Sequence, residues 1–231
     1  MGKPRLAVAG ARGFIAATTA MRLLVTAGPT HEAIDPVRYL ANRSSGKMGF
    51  AVAAAGAARG WEVVLVAGPV ALATPAGVRR IDVVTAQEMF EAVRREVAGA
   101  DAAVFAAAVA DFRPAAKAAD KIKKSSGVVA LDLEPTPDIL AAMRGTFGFA
   151  GVLVGFAAET TDLLANARAK LGRKGCDLVV ANDVGRSDIG FGTDDNEATI
   201  LHRADGREEH LPKMPKAALA DAIVERVAEL L

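Results

Sequence analysis

The chain has 231 residues, of which 52% are hydrophobic and only 5% aromatic, enough for one substantial α/β core, with or without a small appendage. Its 28 Lys and Arg against 27 Asp and Glu leave a net charge of +1, which argues against a general nucleic-acid binder. Glycine, proline or charge interrupts every apolar run before membrane-spanning length, and the single cysteine, Cys176, rules out a disulfide within the chain and a Cys-rich metal site, as suits a reducing cytosol.

The opening "MGKPRLAVAGARGFIAATTA" has a basic start and an apolar middle broken by arginine, a faint signal-peptide pattern. Gly10, Gly13 and Ala16 within it also resemble a dinucleotide-binding turn, a match that is weak on its own. Met21 directly precedes "RLLVTAGPT", a buried strand and turn, so the domain is expected over residues 21–231, with residues 1–20 an extension that packs poorly. "HEAIDPVRYLA" reads as a polar connection. "GFAVAAAGAARG" reads as a helix ended by Gly60, and "WEVVLVAGP" and "GVRRIDVVTA" as strands. Thr85 with Glu88 has capping-box spacing and opens another helix. "ADAAVFAAAVADF" is a strand that runs into a loop.

A basic loop follows, then a short alternating strand, and Pro137 is expected to open a helix. "GVLVGFA" is a strand. "TTDLLANARAKLGRKG" is a helix carrying Lys170 and Lys174 one turn apart. "CDLVVAND" is a further strand, beside which Cys176 is expected as a buried structural thiol. A hairpin around Asp205-Gly206 and an amphipathic helix striped by Leu219, Ile223, Val227 and Leu231 close the chain. This alternation implies a Rossmann-like, doubly wound and mostly parallel sheet with a C-terminal hairpin and helix. Ligands then belong beyond the strand C-termini, at "AGPT", "AAAVADF", "GFAAET" and "ANDVG".

Several motifs sit there. "NRSSGKMG" could be a helix capped by Ser44 or Ser45, or an anion site in which Gly46 and Gly49 let backbone N–H groups approach a phosphate. It is not a Walker A motif, since residue 41 is not glycine and Met48 has no hydroxyl. Asp111 in "AVADFRP" could be solvated, or could bind a base, a ribose or Mg²⁺, and Arg113 could clamp a phosphate. "KIKK" (121–124), Lys170 and Lys174 could be exposed charges, or could neutralise a leaving pyrophosphate. Asn182 and Asp183 are expected in a loop, as are Asp194, Asp195 and Asn196. His31, His202 and His210 lack metal-ligand spacing.

Taken in order, "VTAGPTHEAIDPVRYLANRSSGKMG", "AAAVADFRP", "KIKK", "PDIL", "GFAAET" and "ANDVG…FGTDDN" resemble phosphopantothenate–cysteine ligases of the bacterial, CTP-using type, over residues 22–231. The resemblance implies a cytoplasmic enzyme of coenzyme A synthesis. It would join 4′-phosphopantothenate to L-cysteine through an acyl-cytidylate, releasing pyrophosphate and then CMP. It further implies a homodimer with a shared site, no flavin in this chain, and a separate decarboxylase as the next enzyme. Mg²⁺ would be held mainly by the nucleotide phosphates. By the same resemblance Asn42 handles the acyl-cytidylate and Lys121 is the catalytic lysine. The nucleotide set is Ser44, Ser45, Gly46, Met48, Ala107, Asp111, Lys121, Pro137, Asp138, Ile139, Leu140, Phe156, Lys170 and Lys174. Gly28, Arg113, Asn182 and Asp183 are further candidates.

Two other classes stay open on the residues alone. An NAD(P)-dependent oxidoreductase would need a Tyr with Lys four positions on, but the only tyrosine, Tyr39, is followed by Arg43. A non-catalytic nucleotide-binding module would share the phosphate turn without needing Asn42 or Lys121.

Overall fold

The computed structural model describes residues 20–124, 127–159, 161–183, 185, 188–190 and 192–231. The glycine turn at Gly10 and Gly13 and, but for Ala20, the expected extension lie outside them.

In chain order the elements are β1 (Arg22–Ala27), β2 (Glu32–Ala33), β3 (Tyr39–Leu40), α1 (Lys47–Ala58), β4 (Glu62–Ala67), β5 (Val78–Asp82) and α2 (Ala86–Glu96). There follow β6 (Ala102–Phe105), β7 (Phe112–Pro114), β8 (Leu133–Pro135), α3 (Ile139–Gly145), β9 (Val152–Glu159) and α4 (Leu163–Lys174). The chain ends with β10 (Leu178–Asp183), β11 (Asp195–His202), β12 (Glu208–Pro215) and α5 (Lys216–Glu229).

The main sheet has 8 strands in the order β12-β11-β10-β9-β6-β1-β4-β5. All pairs from β5 to β10 are parallel, and β11 and β12 add antiparallel. By chain rank the parallel strands run third, second, first, fourth, fifth, sixth, so the direction of winding reverses between β1 and β6. The strands are apolar on both faces because helices cover both. On one face Phe50 and Val52 of α1 and Leu219, Ile223 and Val227 of α5 pack on Leu23, Val25, Val154 and Val180. On the other, Met89 of α2, Met143 of α3 and Ala167 of α4 pack on Leu24, Val66, Leu153 and Val179. Each large aliphatic side chain buried this way stabilises the fold by about 1.5–3 kcal/mol.

Local chemistry starts and stops these elements. Thr85 Oγ1 accepts the Glu88 N–H at 3.1 Å, and the Glu88 carboxylate accepts from Thr85 N at 3.4 Å, closing the expected capping box. Gly206, at φ +70°, turns the β11–β12 hairpin where Asp205-Gly206 marked it. Four expectations need correction. Asp138, whose carboxylate accepts the Ala141 N–H at 3.0 Å, is the N-cap of α3, so Pro137 stands before the helix and does not open it. Leu231 follows the end of α5 and is exposed, while the other three stripe residues are fully buried. Asn182 and Asp183 end β10, and Asp195 and Asn196 start β11, because the parallel pairing with β9 and the antiparallel pairing with β12 extend that far. The polar connection 31–41 contains a small ribbon, β2–β3, whose turn is held by Asp35.

Asp35 is buried and accepts the Val37 and Arg38 N–H groups, both at 2.8 Å, along with the Arg38 guanidinium. It also accepts the Ile122 N–H at 3.2 Å, and Arg38 donates to the Ile122 carbonyl at 3.0 Å. These bonds tie the "KIKK" loop to the ribbon. The Arg38 guanidinium, together with the backbone N–H groups, holds the Asp35 carboxyl far below the usual carboxylate range.

Candidate active site

A cleft of about 1040 Å³ opens along the C-terminal edge of the sheet, at the reversal between β1 and β6. Pro29 and Ala108 bridge the two strands just beyond their ends. Ala110 N–H donates to Thr30 Oγ1 at 3.0 Å, and Thr136 N–H donates to the Asp111 carbonyl at 3.0 Å, so the segment leaving β6 is pinned from both sides. Ala107 and Asp111 line the cleft from this segment. The Asp111 carboxylate has no hydrogen-bond or ion-pair partner among the described residues.

Ser44, Ser45, Gly46 and Met48 line the cleft at the start of α1. The N-cap is Gly46, at φ +76°, so no side chain caps the helix, and Ser44 Oγ instead accepts the Gly46 N–H at 3.3 Å. A larger residue at Gly46 would be strained, and its Cβ would stand 3.1 Å from Val70 Cγ1. The first amide N–H groups of α1 therefore lack intrahelical partners and carry the positive end of the helix dipole toward the cleft. Asn42 lines the cleft beside them, with its amide N–H₂ donating to the carbonyls of Ala108 at 3.3 Å and Val109 at 2.9 Å.

Pro137, Asp138, Ile139 and Leu140 line the opposite wall, with Phe156, Lys170 and Lys174. Lys174 is ion-paired to Asp138, joining α4 to the α3 N-terminus, and its side chain is only 12% exposed. Burial raises the Asp138 carboxyl, but the Lys174 ammonium and the Ala141 N–H outweigh it, and the net shift is downward. Lys170 donates to the Phe156 carbonyl, and burial lowers its pKa. Neither lysine belongs to an exposed helix face.

Of the remaining candidates, Gly28, Arg113, Asp183 and Lys121 do not line the cleft. Gly28, at φ +78°, lies beneath the Gly46 turn, its Cα 3.5 Å from where a Gly46 Cβ would stand. Arg113 is ion-paired with Glu134 at 2.8 Å across β7–β8, which occupies the proposed phosphate clamp. Asp183 accepts the Gly185 N–H at 2.8 Å, whereas its neighbour Asn182 is buried and does line the cleft. Lys121 is exposed on the loop that Asp35 and Arg38 hold beside the β2–β3 ribbon.

Sequence reasoning missed Lys47, Thr136, Asn196 and Lys216, all of which line the cleft. Lys47 had a signal, a lysine opening a helix inside "SSGKMG". Lys216 had none beyond its place after a proline. With Arg43, Arg173, Lys170 and Lys174, Lys47 and Lys216 outnumber the lining carboxylates Asp111, Asp138 and Glu159, so the lining carries an excess of positive charge. Cys176 is fully buried, and burial pushes its thiol pKa up to about 11, consistent with a structural thiol. Among the described residues no group of His, Cys, Asp and Glu has metal-site geometry, and no helix is long and apolar enough to cross a membrane.

Three relatives have comparable similarity. The coenzyme A biosynthesis bifunctional protein CoaBC of Vibrio cholerae is 46% identical over 210 residues, covering 90% of this chain and 52% of the relative. Its namesakes in Escherichia coli K12 and Mycobacterium bovis are 44% and 46% identical, covering 51% and 52% of those proteins, so the chain spans about half the length of the curated relatives it matches. The crystal structure of a CoaBC C-terminal domain superposes with a TM-score of 0.76 at 39% identity, covering 90% of this chain and 94% of that one. A Cab2 mutant in complex with phosphopantothenate-cysteine has a TM-score of 0.77 at 17% identity, covering 90% of this chain and 85% of that one, and so supports the fold alone. The DNA/pantothenate metabolism flavoprotein C-terminal domain model matches residues 18–231, and the chain belongs to that family.

Proposed function

We propose that residues 21–231 act as one ligase domain that joins 4′-phosphopantothenate to L-cysteine in coenzyme A biosynthesis, using CTP. The observation that carries this reading is the cationic cleft at the sheet reversal, where an uncapped glycine turn opens α1 beside Asn42 and faces Lys170 and Lys174. The substrate carboxylate attacks the α-phosphorus of CTP, and the bond to the bridging oxygen breaks, releasing pyrophosphate. The cysteine amine then attacks the acyl carbon of the cytidylate, CMP leaves, and the amine proton passes to solvent. CTP itself activates the acid, so no protein nucleophile is needed, and an inert Cys176 is no obstacle.

Both steps bring anions together, and the chain's contribution is largely electrostatic. The α1 N-terminus with Ser44 and Ser45 receives phosphate. The Asp138–Lys174 pair, Ile139, Leu140, Phe156 and Lys170 hold the nucleoside end. Asn42 exchanges one of its two carbonyl contacts for the acyl oxygen of the intermediate. Magnesium fits this donor set, because such ions are held by one or two carboxylates together with substrate phosphates, and Asp111 is a cleft carboxylate without a partner among the described residues. The ion would supply charge neutralisation on the phosphates.

The functional unit in this reading is a cytoplasmic homodimer, and a decarboxylase acts on its product. Val37, Tyr39, Phe112, Val128 and Leu133 are exposed apolar side chains around the two small ribbons, beside the Lys121 loop. A second copy seated there would bury them and carry Lys121 toward the neighbouring cleft. The decisive assay is pyrophosphate release from CTP when phosphopantothenate is added without cysteine. Release with CTP well above that with ATP is expected, and no release with any nucleotide would overturn the reading.

A further inference from the structure

The two helices on the α1 face both begin at the C-terminal edge of the sheet. α1 does so because it follows a parallel strand. α5 does so because β11 runs back and β12 returns. Each has a lysine as its first helical residue, Lys47 and Lys216, and neither N-cap, Gly46 or Pro215, provides a side-chain hydrogen bond. Both lysines line the cleft.

Lys216 is 6% exposed, and its ammonium donates to the carbonyls of Gly190 at 2.7 Å and Thr193 at 2.5 Å. Lys47 donates to the Gly192 carbonyl at 3.1 Å and the Asp194 carboxylate at 2.7 Å. An ammonium has three N–H donors, and each lysine uses two of them among the described residues. Burial and then the charge of Lys47 lower the Lys216 pKa, the mark of two ammonium groups held near one another. The carboxylate partner of Lys47, Asp194, has a side chain 90% exposed and screened by water. Asn196 lines the cleft as well. It is 3% exposed, and its side-chain oxygen is buried with no hydrogen-bond partner among the described residues. An orphaned buried acceptor is a cost that a ligand's hydrogen would remove, such as one from water carried by a hydrated cation.

We propose that this corner, bounded by the N-termini of α1 and α5 with Lys47, Lys216 and Asn196, seats the β- and γ-phosphates of the nucleotide and the pyrophosphate that leaves. The proposal rests on the ligase reading for the identity of the nucleotide, but not for the affinity for pyrophosphate. Two helix N-termini and two ammonium groups meet a multiply charged anion there, while the nucleoside end lies against α3 and α4. Lys216 is thus a binding residue for the leaving group.

The test is calorimetric titration of inorganic pyrophosphate, CTP and CMP, each with Mg²⁺, into the full chain and into Lys216→Met and Lys216→Arg. Losing one charge-assisted contact should weaken pyrophosphate and CTP by about tenfold or more in Lys216→Met, with CMP within about twofold of the unmodified chain and Lys216→Arg recovering part of the loss. Lys47→Met should show the same pattern, and it decides the matter if Lys216→Met does not fold. Equal weakening of CMP, or unchanged pyrophosphate affinity, overturns the proposal. If the chain releases pyrophosphate from CTP but the variants bind pyrophosphate normally, the corner is wrong and the ligase reading stands. If pyrophosphate binds through Lys216 but no cytidylate forms with any nucleotide, the ligase reading falls and the corner stands.

Discussion

Replacing Gly49 with alanine tests whether the start of α1 is the phosphate seat. Gly49 is the third residue of α1 and rests on the end of β1. An added Cβ would stand 2.5 Å from Ala27 Cβ and 3.0 Å from the Thr26 carbonyl oxygen. Carbon atoms settle at about 3.5–4.0 Å, so the helix start must back away by roughly 1 Å. Neither neighbour can yield, since one is backbone and the other a fully buried alanine. Overpacking of this kind costs about 1–3 kcal/mol. Alanine regains about 1 kcal/mol of helix propensity, leaving a net loss of about 0–2 kcal/mol. That lowers Tm by no more than about 8 °C at this chain length. A 1 Å displacement of groups that contact the reacting phosphate can slow turnover about 100-fold. Gly56→Ala is the control at the other end of the helix. Its Cβ would stand 2.7 Å from Leu23 Cδ2, the end of a side chain that can rotate. Thermal unfolding, CTP titration and pyrophosphate release should show Gly49→Ala losing nucleotide affinity and rate, and Gly56→Ala losing at most stability. Wild-type CTP binding in Gly49→Ala, or the same loss in both variants, would refute the placement.

Asn42→Ala should still release pyrophosphate from CTP but deliver little ligated product, because the amide is assigned to the intermediate; normal full turnover would remove it from the mechanism. Cys176 should resist alkylation in the native chain at pH 8, since its thiol is fully buried and its pKa is about 11, and react fast once denaturant is added. Rapid native labelling would contradict that burial. Asp35 should make the ribbon and the Lys121 loop acid-sensitive. Its folded carboxyl titrates below its unfolded value of about 3.9, so the unfolded chain takes up the proton first and stability falls as the pH drops below that value. In Asp35→Asn that part of the acid transition should be lost, along with protection of the Ile122 amide from hydrogen exchange.

The strands were the most legible part of the fold. Segments such as "LLV" of β1 and "VVLV" of β4 are buried on both faces, and only a sheet covered twice calls for that pattern. The α2 capping box was equally plain, because its two partners lie three residues apart. Pro137 misled because two start signals compete there. Asp138 can accept an N–H and takes the cap, leaving proline outside. Lys170 and Lys174 were ambiguous for a different reason. Helical spacing puts them on one face, but whether that face meets water depends on α3 and β9, which are distant in sequence. The serines of "SSG" left capping and anion binding both open, and the Gly46 N-cap shows that neither serine caps α1. Lys216 was invisible, because its importance comes from where the sheet delivers the last helix.

The β11–β12 hairpin has a consequence for how this chain can change. Two strands make an even number of reversals, so the last helix enters on the same side as every other helix-starting turn. A single extra or missing strand between Asp183 and Lys216 would flip that parity and send the lysine to the far side of the sheet. Insertions there are therefore tolerable only as whole hairpins or as loops. The tip at Asp205-Gly206 lies at the opposite edge from the cleft and can grow freely.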